Sequence, residues 1–556
     1  MRSFKAVVAC GVLVSAGSSL AQTVVPGGAQ PGQIEPPFQR APEPRPSLAP
    51  DVNLGPQALP PEQARALRFK LSDVSIEGTT VMGANRLAAL TAPLIGNEVS
   101  LADIYELADR VTALYRNDGY VLTRVLVPQQ RIADGKVRLV AVEGYVDKVV
   151  LQGTIPGRSD LLQAYADRIK AERPLTAATL ERYLLLMNDL GGAAAQATLR
   201  ASPDTRGAAD LIIDFSVRSV EAYAELNNRG SRALGPGRVE AELDIHSPLK
   251  LFDTVRLSAA TTANDELRFV NLGYELPLGN DGLLASVNGS VARTHPQLGA
   301  GVEVRTESNA AQFRLLYPVK RSRAENLYAR ATLAWINGET EVAGLPLTND
   351  HVRTARVGLA YDLADRWLGV NFVDVELVQG LNVGGATQTD AADSSRLGAS
   401  PTFFKAAFYA ARVQSLMPQF ELLAAASGQY APKKLFPSEQ FAFGGNSFGR
   451  AYDSAELLGD YGGALKFELR YLGRSRGLDA SAYTVYLFHD IGKVWLRDPA
   501  NQAGKASAAS VGAGVRFNAF GQASGYVELA KPLTRNVALE GNRDARVFAA
   551  LRWTFR

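Results

Sequence analysis

The 556-residue chain predicts a transmembrane β-barrel of 16 antiparallel strands preceded by two small α/β domains of order β-α-α-β-β. Three observations carry that prediction. From about Glu221 to Arg556, segments of roughly ten residues alternate in polarity between turn clusters, as strands do with one face in lipid and the other in water. The connections between these segments alternate between short and long, so long loops gather on one side. The chain also opens on an export signal and carries no cysteine after it.

Met1 to Ala21 is that signal, with Arg2 and Lys5, an apolar run from Ala6 to Val14, and the small-x-small Ser19-Leu20-Ala21 before a cut at Gln22. The run is too short to span a ~30 Å hydrocarbon core. Cys10, the sole cysteine, leaves with it, so the exported protein has no disulfide and no thiolate ligand. His246, His295, His351 and His489 form no H-E-x-x-H pair, so neither metal nor cofactor is expected. The 59 basic and 56 acidic residues nearly balance, which gives no reason to expect a nucleic-acid partner.

Residues 22–66 read as a Pro-rich arm or linker and a candidate plug. Residues 22–61 alone hold 11 of the 28 prolines, too many fixed φ angles and missing donors for a packed core. Residues 67–144 form the first soluble unit. Phe69–Gly78 reads as a strand, Arg86–Thr91 as a short helix, and Ser100-Leu101-Ala102-Asp103 as the capped start of a longer helix. That helix carries Leu101, Ile104, Leu107, Ala108, Val111, Leu114 and Tyr115 on one face. Strands Tyr120–Val127 and Lys136–Val142 follow, joined through Asp134-Gly135. Residues 145–219 repeat the order with strand Val146–Gly153, helices Asp160–Lys170 and Thr176–Asn188, and strands Ala195–Leu199 and Leu211–Val217.

The barrel occupies 220–556, with strands beginning near Ala222, Val239, Val255, Leu267, Leu284, Val302, Leu327, Val352, Leu368, Thr402, Glu421, Gly463, Ser481, Ala508, Gly525 and Arg546. If the first strand rises from the periplasm, Pro277–Gly282, Leu416–Gln419 and Phe520–Gln522 are periplasmic turns. Asn337–Asp350, Leu381–Pro401 and Pro432–Tyr461 are then extracellular loops. In the last strand Val547, Ala549, Leu551, Trp553 and Phe555 face lipid, and Phe548 is an apolar exception on the water side.

The sixth loop contains Gly445-Asn446-Ser447-Phe448-Gly449, which fits the G-x-S-x-G of a hydrolase nucleophile elbow. That elbow needs a strand before it, a helix after it, and a downstream acid and histidine. His489, the only downstream histidine, sits in a spanning strand beside Asp490, so the two point to opposite faces and cannot serve Ser447 together. No enzyme is expected.

A signal, a Pro-rich arm, two β-α-α-β-β units and a 16-strand barrel resemble the outer-membrane transporters of two-partner secretion, the hemolysin secretion and activation family. In that family the soluble units are POTRA domains, and the sixth loop carries V-R-G-[FY] after a Gly-Gly pair. Here Gly444-Gly445 precedes Gly449-Arg450-Ala451-Tyr452, so Arg450 and Tyr452 match while Gly449 replaces Val and Ala451 replaces Gly. The family's F-x-D motif is matched by Phe488-His489-Asp490, with Tyr486, Phe488 and Asp490 on one strand face. Taken without the resemblance, Arg450 is more readily a solvated loop arginine and Asp490 an unrelated lumen aspartate. The resemblance implies a loop folded into the barrel with Arg450 paired to Asp490, an interaction a guanidinium makes through two parallel hydrogen bonds.

It further implies a monomeric transporter in outer-membrane lipid that secretes a partner exoprotein of adhesin or cytolysin type. Its periplasmic POTRA domains would recognise the partner's N-terminal secretion domain by edge-strand pairing. A family member can be plugged by an N-terminal helix. Gly32-Gln33-Ile34-Glu35 lies in that region, and Pro36-Pro37 opposes a long helix there. A barrel assembly factor is the alternative, against which two soluble units rather than a longer array favour secretion. A passive porin leaves residues 62–220 without a purpose.

Overall fold

The computed structural model describes residues 25–33, 61–205, 207–298, 301–474, 482–499, 504–519 and 521–555. The export signal lies outside the described residues, as do Ile34, Glu35, Pro36 and Pro37.

The first soluble unit runs α1 (Pro61–Ala66), β1 (Arg68–Lys70), β2 (Asp73–Glu77), α2 (Ala84–Thr91), β3 (Glu98–Ser100), α3 (Leu101–Asn117), β4 (Arg124–Leu126) and β5 (Lys136–Val142). Ser100 caps α3 reciprocally, its hydroxyl accepting from Asp103 N while the Asp103 carboxylate accepts from Ser100 N. The stripe Ile104, Leu107, Val111 and Tyr115 is buried with Val137 and Leu139 of the sheet β2-β5-β4. The single strand expected over Phe69–Gly78 divides at Leu71-Ser72 because the chain changes partner there. β1 pairs with β3, whereas β2 runs parallel to β5. Tyr120–Val127 narrows to β4, since Thr123 N donates to Tyr120 O at 3.2 Å and closes a turn first.

The second unit runs β6 (Tyr145–Gly153), α4 (Ser159–Ala171), α5 (Ala177–Asn188), β7 (Ala193–Ala201) and β8 (Ala208–Val217). Its sheet has the same plan, β6-β8-β7, with β6 parallel and β7 antiparallel to the central strand.

The barrel follows as β9 (Val220–Asn227), β10 (Arg238–His246), β11 (Thr254–Thr262), β12 (Leu267–Leu278), β13 (Leu283–Thr294), β14 (Val304–Arg321), β15 (Glu325–Val342) and β16 (Leu345–Ala364). It continues with β17 (Gly369–Gly380), β18 (Phe404–Met417) and β19 (Phe420–Tyr430). Loop 6 interrupts with a small hairpin, β20 (Phe441–Phe443) and β21 (Leu457–Gly459). The wall then resumes as β22 (Tyr461–Arg474), β23 (Ala482–Trp495), β24 (Lys505–Ala519), β25 (Ala523–Pro532) and β26 (Arg546–Phe555). These 16 antiparallel strands close because β26 returns to β9, with Ala550 opposite Asn227 and Phe555 opposite Ala222. No sheet edge is left in the membrane, where an unpaired backbone group would cost several kcal/mol.

The hairpin between β15 and β16 departs from expectation. The loop read at Asn337–Asp350 is strand as far as Val342 and again from Leu345, turning on Ala343 and Gly344, both at positive φ. A two-residue hairpin asks for such angles, but Ala-Gly signals one less clearly than Asn-Gly or Asp-Gly. At 18, 18 and 20 residues, β14, β15 and β16 outrun a membrane crossing and carry this hairpin beyond the outer surface. The water-facing Phe548 also finds its reason. Its ring underlies two guanidinium groups, Arg229 at 4.0 Å and Arg546 at 5.0 Å from the centroid.

The second soluble unit is joined to the barrel by more than the chain. Phe252, in the turn between β10 and β11, is 2% exposed within that unit's core, edge-on to Phe215 at 5.8 Å. On α5, Arg182 donates to Pro318 O at 2.9 Å and to Asp281 Oδ1 at 3.2 Å, both on periplasmic ends of the barrel. Asp189 accepts from Arg321 through both carboxylate oxygens, at 2.7 and 2.8 Å.

Candidate functional site: a loop held in the lumen

Loop 6 spans residues 431–460 and folds back into the barrel. Two glycines permit its reversal. Gly444 has φ +116°, and a Cβ there would lie 2.1 Å from Asp453 O, while Gly445 has φ +98°. The third motif glycine, Gly449, has φ +79°, a conformation in which the valine of the family pattern would be strained. The departure at 449 therefore follows from this loop's own backbone.

The reversal delivers Arg450 to strand β23. Arg450 is 3% exposed and Asp490 fully buried. Asp490 Oδ2 accepts from Gly449 N at 3.1 Å, Arg450 N at 3.0 Å and Arg450 Nε at 3.0 Å, and its Oδ1 accepts from Arg450 Nη2 at 2.9 Å. One carboxylate thus holds both the side chain and the backbone of the loop tip. Phe488 lies under the guanidinium, 3.6 Å from ring centroid to Cζ, so both defined residues of F-x-D touch Arg450. Tyr452, 2% exposed, reaches its hydroxyl to Ala509 O at 3.1 Å and Arg535 O at 3.2 Å.

The structure adds residues that sequence reasoning missed. Arg450 Nη1 donates to Glu468 Oε2 at 2.6 Å and lies 3.7 Å from Glu528 Oε2. Arg470 and Arg516 bind Glu468 at 2.7 and 2.5 Å. From the first extracellular loop, Arg229 donates to Arg450 O at 2.9 Å, to Glu528 Oε1 at 2.5 Å and to Tyr526 Oη at 2.9 Å. Glu468 and Glu528 each alternate with lipid-facing apolar residues, Phe467 and Leu469 on one strand and Val527 and Leu529 on another. That alternation marks them as lumen residues, but only strand register places them level with Arg450. Room for Tyr486 and Phe488 comes from Gly512 and Gly514 on β24, where a Cβ would come within 2.5 Å of either ring.

Two further buried carboxylates fasten the loop's flanks through ion pairs. Glu439, 1% exposed, meets Arg356 Nη2 at 2.6 Å and Lys405 Nζ at 2.8 Å. Asp460, with no exposure, accepts from Leu435 N at 2.8 Å, Arg497 N at 2.6 Å and Arg396 Nη2 at 2.7 Å. Asp460→Ala would strand the Arg396 charge, at a cost of about 3–5 kcal/mol. We expect whole-cell proteolysis to cut loop 6 in that variant and spare it in the parent.

Residues 25–33 also lie in the lumen, between loop 6 and strands β14–β15. They hold a single 3-10 turn, Gly27–Ala29, in place of a longer helix. Ala29 is fully buried, and its carbonyl accepts from Thr306 Oγ1 at 2.9 Å. Gln33 Nε2 donates to Pro437 O at 2.6 Å and to Gln440 O at 3.3 Å, tying the segment to loop 6. Beneath Gly32 lies a cavity of about 640 Å³, whose wall includes Ser258, Asn271, Asn288 and Gln312.

Ser447 has no hydrolase surroundings. Among the described residues no helix follows it, and Asp490 is bound to Arg450. Among the described residues no cluster of three or more His, Cys, Asp or Glu could hold a metal ion.

A family model described as haemolysin secretion/activation protein ShlB/FhaC/HecB matches residues 211–517, and a ShlB-type POTRA domain model matches residues 69–144. The heme/hemopexin transporter protein HuxB of Haemophilus influenzae (strain 86-028NP) is 22% identical over 489 residues, covering 85% of each chain. The hemolysin transporter protein HpmB of Proteus mirabilis is 26% identical over 458 residues, covering 80% of this chain and 78% of the relative. Among solved structures, CdiB from Escherichia coli aligns with a TM-score of 0.71 at 18% identity, covering 97% of this chain and 98% of that one.

Proposed function

Since this chain belongs to the haemolysin secretion/activation protein family, we propose that loop 6 is the fixed inner element past which it moves a partner protein. The protein is an outer-membrane transporter of two-partner secretion, with its POTRA domain on the periplasmic side. The assembly-factor reading gives way, because the matched family is one of secretion and activation proteins.

The observation that carries the proposal is the Arg450 site, where a loop tip is tied to the wall through buried charge on four strands. An exposed ion pair contributes only ~0–1 kcal/mol and would not hold a loop while a polypeptide moves past it. A buried pair with its remaining hydrogen bonds satisfied resists release, because separating the partners leaves uncompensated charge. The partner, an exoprotein of adhesin or cytolysin type, engages the soluble units at residues 67–144 and 145–219 through an edge strand and groove. It then passes as an unfolded chain through the lumen of a monomer held in outer-membrane lipid. No nucleotide-binding loop is present in the sequence, so folding of the partner outside supplies the direction.

Residues 25–33 act as the plug in this account. Deleting residues 22–33 should raise single-channel conductance in a planar bilayer, and a conductance equal to that of the full chain would remove that role. Deleting the gene should eliminate one large polypeptide from the culture medium, and re-expression should restore it. A medium unchanged by the deletion would refute the transport assignment.

A further inference from the structure

We propose that the outward faces of β23, β24 and β25 near the cell surface form a binding site for a phosphate-bearing lipid of the outer leaflet. This inference rests on the outer-membrane location and not on passage of the partner.

The alternation of each strand places the residues. Asp490 and the 2%-exposed Val494 face inward on β23, so Lys493 and Trp495 face lipid. On β24 the buried Ala508 and Ser510 face inward, which turns Lys505 outward, directly opposite Trp495 in the ladder. On β25 the buried Ala530 turns Lys531 outward. All three lysines are exposed, and each lies at or near the extracellular end of its strand.

Aromatic rings mark the depth. Trp495 stacks parallel on Tyr461 at 5.3 Å, and Tyr461 meets Tyr430 at 6.1 Å, a girdle of the kind that sits at headgroup level. Arg497 lies over Tyr461 at 4.4 Å, and the Lys493 ammonium is 5.0 Å from the Trp495 ring. Below, Ile491, Val511 and Leu529 offer an apolar surface to acyl chains.

Charge separates this patch from the far side of the rim. On the far side, outward cations are neutralised by neighbours: Arg268 by Asp265, Arg293 by Glu307 at 3.0 Å, and Arg305 by Glu303 at 2.5 Å. Among the described residues no carboxylate pairs with Lys493, Lys505 or Lys531, and the nearby Asp498 is held by Lys434 at 2.9 Å. Lysine can lay its apolar stem along the barrel and present the ammonium to a phosphate at the surface. A lipid phosphate is retained at that depth by its acyl chains, whereas a dissolved phosphate meets full ionic screening.

The test is native mass spectrometry of the full chain with diphosphorylated lipid A, with the same lipid dephosphorylated, and with inorganic phosphate. The wild type should retain the phosphorylated lipid in preference to both. The double variant Lys493→Gln/Lys505→Gln should lose roughly thirtyfold in that retention, as two surface lysines imply. Arg268→Gln/Arg293→Gln, on the paired rim, should bind as the wild type does. Heat-modifiable mobility checks that every variant is a folded barrel. Equal retention of the dephosphorylated lipid, equal binding of inorganic phosphate, or unchanged retention by the double lysine variant would each overturn the proposal.

Discussion

Arg450→Ala exports little or no partner protein while its barrel still inserts and remains heat-modifiable. The substitution removes the guanidinium that Asp490 binds through both of its carboxylate oxygens. Breaking a buried pair in this way costs about 3–5 kcal/mol, so the balance between seated and released loop shifts by a hundredfold or more. The wall strands keep their full ladder of backbone bonds, which is why assembly survives. Asp490→Ala should be weaker, because Glu468 and Glu528 remain beside Arg450. Asp490→Asn should be milder still, retaining one oxygen to accept from the loop backbone. Arg450→Lys should resemble the alanine variant, since an ammonium cannot span Asp490 and Glu468 as the guanidinium fork does. Partner protein in the medium, set against barrel in the membrane, checks the order. Normal export by Arg450→Ala and Asp490→Ala together would remove the loop's role.

Phe252→Ala has the second largest effect, and it acts from the periplasmic side. The ring belongs to a barrel turn, yet it is buried with Phe215 and Leu211 in the core of the second soluble unit. Truncating a buried phenylalanine costs about 3–5 kcal/mol, here charged both to that core and to the docking of the unit on the barrel. The surrounding polar ties, Arg182 to Asp281 and Arg321 to Asp189, are partly exposed and too weak to compensate. Partner protein should accumulate in the periplasm, and a protease added there should separate residues 61–217 from the barrel. Undiminished export and an uncut chain would show that this docking is dispensable.

Much of the barrel was legible because its physics is local. A period of two in polarity reports lipid on one side and water on the other, so strand positions could be read without knowing neighbours. The β15–β16 hairpin escaped because its strands leave the membrane and both faces turn polar, and because Ala343-Gly344 resembles no common turn pair. Arg450 and Asp490 were reached through a motif resemblance. Glu468, Glu528 and Arg229 were not, although each faces the lumen, since only register brings four strands and two loops level. Gly512 and Gly514 carried a usable sign, two glycines on the lumen face of one strand, which point to bulk approaching from inside.

The central claim is that a polypeptide crosses the outer membrane inside this barrel, between the seated loop and the wall of β12–β14. The most direct measurement places a photo-crosslinking residue at Asn288 or Gln312, in the lumen cavity, and irradiates cells during export. We predict a crosslinked product containing the exported protein at both positions, absent when irradiation follows loss of the partner gene. Continued export with crosslinks at the soluble units alone, and none at Asn288 or Gln312, would contradict it.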